Sequence, residues 1–304
     1  MELDQLKLFV DLVREQNFTR VAEKNFRTQP AVSLSIHRLE EELGARLVER
    51  TTRKVVVTDE GRLLYQYAIK ILEQVREAKA ALQERQDRMI GTLTLATVHS
   101  VGIHEVPVYL KEFIQRYPEV NIHIDYRVSE EVYRSVIEGD ADLGIVAYPE
   151  ERPQIDVVPF YEDALVLICA PDHPFAARES VRLSDLHGVE FIAFEREIPT
   201  RRAVDAVLGA HQITPHIRME CDNVEIMKKM VEVRLGVALV PALSIRQEVR
   251  RGVLRCLPIA DYALRRPLGI VYRRGKSLSR PQAAFVRLVT EEAYDLMARA
   301  MAAE

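Results

Sequence analysis

The rhythm of apolar residues changes once along this chain, at Gly91, and that change limits what it can fold into. Before Gly91 the apolar residues recur at threes and fours, the period of helices with one buried face. After it, short β-prone runs alternate with helical stretches, the pattern of a sheet covered by helices. One core cannot serve both patterns, and 304 residues suit two or three units. The expected organisation is a helical module over residues 1–58, a connecting helix over 59–90, and an α/β module over 91–304.

In the first module Leu6, Phe9, Val10 and Val13 line one face of a helix from Leu3 to about Glu15. Asn17-Phe18-Thr19 interrupts it. Thr19 is the expected N-cap of a second helix that turns Val21, Ala22 and Phe26 inward. Thr28 then caps a third helix whose early turn holds Pro30, where no intrahelical donor is needed. Ala31, Val32, Ile36 and Leu39 are its expected inward face. That leaves Gln29, Ser33, His37 and Arg38 to point elsewhere.

Two short helices, a tight turn and a third helix with a polar outer face make a helix-turn-helix, which sets its last helix into a major groove. Gln29 can pair with an adenine edge or a phosphate, and Ser33 is small enough to let the helix sit close to the bases. The helix N-terminus offers backbone N–H groups to a phosphate. Taken singly, each residue also fits a solvated helix face; their order along the segment is what favours DNA. Beyond Gly44, which ends the third helix, two β-prone runs flank a basic tip and read as a wing. Arg50, Arg53 and Lys54 are its expected phosphate or minor-groove contacts. The chain carries a formal net charge of -4, so any DNA surface has to be a local arrangement of side chains.

The segments Leu6-x-x-Phe9, Asn17-Phe18-Thr19, Ala22, Gln29-Pro30-Ala31-Val32-Ser33, Ile36, Arg38-Leu39-Glu40, Leu43-Gly44, Leu47, Arg50 and Thr58-x-x-Gly61 together resemble the LysR-type transcriptional regulators. The resemblance runs through the whole N-terminal module without a gap. It implies that Gln29, Pro30 and Ser33 lie at the DNA and that Arg53 enters the minor groove. Departures are small: Val21-Ala22 replaces an Ala-Ala pair, Asn25-Phe26 stands where Leu is common, Val48 replaces Phe, and His37 takes a place often held by Lys or Arg.

Asp59-Glu60-Gly61 opens a long helical run to about Arg88. Leu64, Tyr67, Ile71, Val75, Ala78 and Leu82 form a narrow apolar stripe on it, as a helix needs to pair with another helix. A helix lying on its own module is the alternative. The resemblance implies a homodimer seam, a homotetramer built from it, and RNA polymerase as a further partner. Two copies would set two recognition helices on successive grooves of a partly palindromic site.

Past Gly91, Thr92–Thr97, Val120–Tyr126 and Leu143–Val146 read as strands, with helices from Ile103 to Tyr117 and from about Glu130 to Glu138. Leu165–Cys169, Glu190–Phe194, Ile217–Glu220, Val237–Val240 and Leu268–Tyr272 continue the strands. Helices from about Arg201 to Gly209, Val224 to Arg234 and Pro281 to Met301 intervene or follow. The alternation predicts parallel sheet. The layout, with Tyr117-Pro118-x-Val120, Gly139-Asp140-Ala141-Asp142-Leu143-Gly144-Ile145, His173-Pro174 and Gly236–Pro241, is similar to the LysR effector domain, itself like periplasmic binding proteins. That implies lobe I over about 91–160 and 267–304, lobe II over about 161–266, and a cleft between them.

Open α/β sheets bind ligands beyond the carboxyl ends of their strands. Ser100, Val101, Ser129, Ala147, Pro149, Thr200, Arg201 and Asn223 are therefore the candidate effector residues. Hydroxyls, a cation and helix N-termini suit a small anion. Plain N-capping is the competing reading for Ser100, Ser129 and Thr200.

Catalysis is not indicated. Gly-x-Ser-x-Gly, P-loop and Gly-x-Gly-x-x-Gly patterns are absent, and the eight histidines are scattered. Cys169, Cys221 and Cys256 are odd in number and far apart, so neither a disulfide framework nor a metal site is expected, and no cofactor either. No apolar run is long enough to span a bilayer, and acids occupy the place of a signal peptide's basic segment, so the cytoplasm is expected. A DNA regulator without any effector, working through assembly alone, stays open beside the sensing one.

Overall fold

The computed structural model describes residues 1–50, 55–84 and 89–302, and divides into two compact units, Met1–Arg88 and Met89–Glu304. In the first, α1 (Leu3–Glu15), α2 (Phe18–Lys24) and α3 (Gln29–Leu43) precede a two-stranded antiparallel hairpin, β1 (Val48–Arg50) and β2 (Val55–Val57), and α4 (Asp59–Glu84) follows. The three helices and the hairpin share one core of Leu8, Phe9, Leu12, Val21, Ala22, Val32, Ile36, Leu39 and Leu47. Each such side chain larger than alanine is worth about 1.5–3 kcal/mol when taken out of water. A capping box between Glu2 and Gln5 starts α1, and Gly44, at φ 63, ends α3 in the left-handed conformation that glycine adopts without strain.

Three sequence expectations fail here for local reasons. The N-cap of α2 is Asn17, not Thr19: its Oδ1 accepts from the N–H groups of Thr19 (2.9 Å) and Arg20 (3.2 Å). Phe26 is 98% exposed rather than inward, because α2 stops at Lys24 and Phe26 follows at φ 52, off the helical face. Ala31 is exposed on α3, whose buried stripe is confined to Val32, Ile36 and Leu39.

On α4, Ala68 is buried against Leu6 and Val10 of α1, with Leu64, Tyr65 and Ile71 packed around them. Part of the apolar stripe thus covers its own module, while Leu63 and Tyr67 stay more than half exposed. The side chain of Leu82 lies outside the described residues.

The second unit opens with β3 (Gly91–Thr97), α5 (His99–His104), α6 (Val106–Arg116), β4 (Val120–Tyr126), α7 (Ser129–Ile137) and β5 (Leu143–Ala147). A long β6 (Ile155–Cys169) leads to β7 (Glu190–Phe194), α8 (Pro199–Ala210), β8 (His216–Cys221), α9 (Val224–Glu232), β9 (Val237–Pro241), α10 (Arg246–Arg250), β10 (Arg255–Leu257), β11 (Arg265–Arg273) and α11 (Arg280–Ala302). The predicted single helix from Ile103 to Tyr117 is instead two, beginning at His99 and separated at Glu105.

The strands run in the order β4-β3-β5-β11-β6-β9-β7-β8, with β10 beside β6. Parallel pairing holds within each lobe, between β3 and β4, β3 and β5, β7 and β8, and β7 and β9. The sheet is nevertheless mixed, because β11 runs antiparallel to β5 and β6, and β6 antiparallel to β9. Residues Ile155–Ala164 of β6 pair with β11 in lobe I, and Leu165–Ile168 pair with β9 in lobe II. The chain returns at Leu264, whose carbonyl accepts from Leu165 N–H at 2.9 Å. Both crossings between the lobes are therefore strand backbone, side by side. Helices cover each lobe on two faces, and β5 and β9 are buried along their whole length.

Candidate DNA-reading face and effector cleft

Along α3 the structure separates core from contact surface. Thr28, Gln29, Pro30, His37 and Arg38 are exposed and Ser33 is half-buried, while Val32, Ile36 and Leu39 are buried beneath them. Gln29, Pro30, Ser33, Leu34 and His37 border a groove whose other wall is Ala45, Arg46 and Val48 at the base of the hairpin. Arg53 and Lys54, with the side chain of Arg50, lie outside the described residues.

Two motif residues without an assigned role anchor the base of the hairpin, Glu40 to α3 and Thr58 to the start of α4. Glu40 Oε1 accepts from the N–H groups of Leu47 (2.8 Å) and Val48 (3.2 Å). Thr58 Oγ1 donates to the Arg46 carbonyl (2.7 Å) and accepts from Gly61 N–H (3.0 Å). Gly61 must lack a side chain, since a Cβ there would fall on the Leu47 carbonyl oxygen. Together these contacts fix the start of the hairpin relative to α3 and α4, which a paired helix-and-wing reader requires.

Between the lobes of the second unit lies a cavity of about 310 Å³, at the lower end of the range for small-molecule sites. Lobe I supplies Val98, His99, Ser100, Arg127, Val128, Ser129, Glu130, Ala147 and Glu150; Arg266 comes from β11. Lobe II supplies Phe194, Glu195, Glu197, Ile198, Pro199, Thr200, Arg202 and Asp222. The starts of α7 and α8 both meet this cavity. Their N-cap residues are Val128 and Ile198, which have no hydroxyl, so Ser129 and Thr200 do not serve as caps. Val98 stands likewise before Ser100. The first N–H groups of α7 and α8 carry the positive end of each helix toward the cavity.

The candidate effector residues divide. Ser100, Ser129, Ala147 and Thr200 stand on the cavity wall. Val101 is buried in the lobe I core, turned away on α5, and Pro149 packs at Gly269 of β11. Arg201 faces the lobe II interior, where Asp205 (2.8 Å), Glu220 (2.7 Å) and the Phe194 carbonyl (2.5 Å) hold it. Its neighbour Arg202 lines the cavity instead. Asn223 caps α9 through Glu225 N–H at 2.8 Å, and Asp222 is the lining residue.

Three cations at the cavity escaped the sequence reading: Arg127, Arg202 and Arg266. Arg266 sits in the wall, 1% exposed, with Nη2 donating to Ser100 Oγ at 2.7 Å. Five carboxylates line the cavity as well. Glu130 and Glu150 are exposed and engaged by Arg152 (2.9 and 3.1 Å), and Glu195, Glu197 and Asp222 are exposed on lobe II. Polar links also join the lobes. Arg202 pairs with Glu150 at 3.1 Å, and His104 Nε2 lies 2.9 Å from Glu225 Oε1. Burial raises the Glu225 carboxyl, but His104 and Lys228 outweigh it and hold its pKa at about 2.

Comparison with known proteins decides the family. Residues 3–62 match the model of the bacterial regulatory helix-turn-helix protein, lysR family, and residues 86–293 match that of the LysR substrate binding domain. The chain belongs to the LysR family of transcriptional regulators. A probable RuBisCO transcriptional regulator of Trichormus variabilis is 32% identical to this LysR chain over 289 residues, covering 93% of it and 86% of the relative. A full-length OxyR variant from Pseudomonas aeruginosa shares the fold at a TM-score of 0.75 and 22% identity, over 96% of this chain and 94% of that one. The Synechocystis PCC6803 CcmR regulatory domain, solved in complex with 2-PG, matches 67% of this chain and 97% of its own length, at 26% identity and a TM-score of 0.61.

The remaining reactive groups of this LysR regulator have structural surroundings. Cys169 is buried in β6, and burial pushes its thiol up to about 11, away from the thiolate that nucleophilic chemistry needs. His123 is exposed beside Asp125, and His216 pairs with Glu190. Among the described residues, no helix is long and apolar enough to cross a membrane.

Proposed function

We propose that this LysR-type regulator senses a small anion in the cleft between its C-terminal lobes and converts its binding into a change at DNA. The observation that carries the reading is convergence: Ser100, Ser129 and Thr200, the starts of α7 and α8, and Arg127, Arg202 and Arg266 all meet one cavity from both lobes. Hydroxyls, N–H groups and guanidinium groups are donors, and their convergence suits an acceptor-rich, negatively charged ligand where Arg152 and Arg202 engage the neighbouring Glu130 and Glu150 carboxylates. The 2-PG bound to the CcmR regulatory domain is in keeping with that chemistry.

On the DNA side, Thr28, Gln29, Pro30, Ser33, His37 and Arg38 of α3 meet the major groove, and Arg50, Arg53 and Lys54 of the wing meet phosphates or the minor groove. One short recognition helix offers few base contacts, so the protein acts as a homodimer or homotetramer. The seam runs along Leu64, Tyr67, Ile71, Val75, Ala78 and Leu82, and the exposure of Tyr67 supports it. The protein works in the cytoplasm as a regulator and not as an enzyme, with RNA polymerase as a partner at the promoter.

A ligand shifts an arrangement only by binding its alternatives unequally. Closing the lobes on an anion satisfies that requirement, since the donors come from both sides. Calorimetry of the full chain with sulfate, phosphate and 2-PG tests the reading. Binding to the intact protein that weakens at least tenfold in Thr200→Val and Arg202→Gln supports it. Absence of binding by all three, or binding indifferent to both substitutions, overturns it.

A further inference from the structure

Behind Ser100 lies a buried ionic cluster that anion recognition as described above does not use. Arg266 on β11 is 1% exposed; Glu105, between α5 and α6, is fully buried; Asp163 on β6 is 2% exposed and directly opposite Arg266 in register. Arg266 Nη1 donates to Glu105 Oε1 at 3.2 Å and to Asp163 Oδ2 at 3.4 Å, while Nη2 reaches forward to Ser100 Oγ at 2.7 Å. The surrounding elements present Tyr109 from α6, Tyr148 from the end of β5, Tyr161 from β6 and Tyr294 from α11.

Two carboxyl groups therefore face one guanidinium group away from water. With both ionised, the cluster holds an unpaired negative charge, which a buried site disfavours strongly. A single proton restores neutrality, and the Glu105 and Asp163 carboxyls compete for it across the guanidinium group they both accept from. Burial raises both carboxyls against the pull of Arg266, and Glu105 is pushed up to about 8. Among the described residues, Glu105 Oε2, Arg266 Nε and Tyr109 OH have no hydrogen-bond partner. The cluster is thus close to balance, with donor and acceptor capacity in reserve.

We propose that Glu105, Asp163 and Arg266 form a proton-linked floor to the effector cleft, so that an anion received at Ser100 is held together with a proton on Glu105. Resting on the anion reading of the cleft, this adds its regulation. An arriving anion draws on Arg266, the same cation that the two carboxylates share, and raises the affinity of Glu105 for its proton. By reciprocity, loss of that proton weakens the anion. The link also reaches the lobe crossings, since Asp163 and Arg266 lie one residue from the paired Ala164 and Arg265.

The experiment is calorimetry of the full chain with 2-PG at pH 7, 8 and 9, in buffers of different ionisation enthalpy. A phosphomonoester is fully dianionic by pH 8, and sulfate, which does not titrate in this range, serves as control. Binding that weakens at least tenfold in Arg202→Gln is assigned to the cleft. The expected result is proton uptake near zero at pH 7 rising toward one at pH 9, with affinity falling by up to tenfold per pH unit above about 8. Glu105→Gln, which fixes the neutral form, abolishes both effects while keeping the affinity seen at pH 7. Should that variant not fold, Asp163→Asn removes the same excess charge and has to flatten the profile. Cleft binding without proton uptake, or with the same pH dependence in these variants, overturns the proton link and leaves the anion reading standing. No cleft binding of either anion at any pH overturns both.

Discussion

Asn25 Nδ2 donates to Asp11 Oδ2 at 2.9 Å, joining the turn after α2 to the middle of α1. Lys24 Nζ reaches the same carboxylate at 2.9 Å, and Asp11 is 5% exposed. A polar lock thus occupies a place where Leu is common in the resembled family. Asn25→Leu removes one hydrogen-bond partner of the buried Asp11 carboxylate and is expected to cost about 1–3 kcal/mol. Asp11→Leu with Asn25→Leu should cost less than the sum of the two single changes. Chemical denaturation of all four proteins measures the coupling; strict additivity would show that the lock contributes nothing.

Gly61→Ala places a methyl group against the Leu47 carbonyl and Val57 Cγ1. Relief requires the hairpin to move off α4, at a cost of about 1–3 kcal/mol. DNA affinity should fall along with the melting temperature. An unchanged melting temperature would mean that the close approach is not needed.

Exposed contact residues should behave oppositely. Gln29→Ala is expected to weaken specific DNA by ~1–3 kcal/mol and leave the melting temperature unchanged, since the side chain is exposed. Arg53→Ala should instead lower the slope of affinity against salt by about one, as a phosphate contact would. Titrations at several salt concentrations separate the two roles, and a uniform loss for both residues would erase the distinction.

Adjacent arginines on α8 should split stability from sensing. Arg202→Gln is expected to lose roughly tenfold in anion affinity, about 1.4 kcal/mol, at an unchanged melting temperature. Arg201→Gln breaks the interior contacts to Asp205, Glu220 and Phe194, so the melting temperature should fall first. Reversal of the pattern would exchange their assignments.

The buried Glu105 makes stability pH-dependent. Its folded pKa, about 8, lies above its ordinary 4.5, so the folded chain keeps a proton that the unfolded chain releases. Its contribution is fully present below about pH 4.5 and is lost as the pH rises through about 8, a loss on the order of a few kcal/mol. Melting curves at pH 6 and pH 9 should converge in Glu105→Gln. Equal losses in wild type and variant would remove Glu105 as the cause.

Much of the fold was legible because periodicity reports burial directly: β4 and β7 occupy the predicted residues, and Val32, Ile36 and Leu39 are buried on α3. What escaped depends on partners distant in sequence. Nothing local shows that the first half of β6, interrupted by Pro159, is a strand; it forms against β11, with an irregularity in register opposite Leu268 and Gly269 that accommodates the proline. Nothing local distinguishes Arg266 from Arg265, yet Arg266 is buried because Glu105 and Asp163 converge on it. Arg201 and Arg202 are indistinguishable in composition, and only the roughly 100° step between helical neighbours sends one inward and the other to the cleft.

An anion in the cleft is expected to change what the α3 face does at DNA, and everything proposed for sensing depends on that coupling. Footprinting of the full chain on DNA selected from a random pool, across a 2-PG titration, tests it most directly. The footprint or its bend-sensitive sites should change over the range that fills the cleft in calorimetry, and Thr200→Val should abolish that change while retaining basal DNA binding. A footprint that stays the same with the cleft saturated would contradict the coupling.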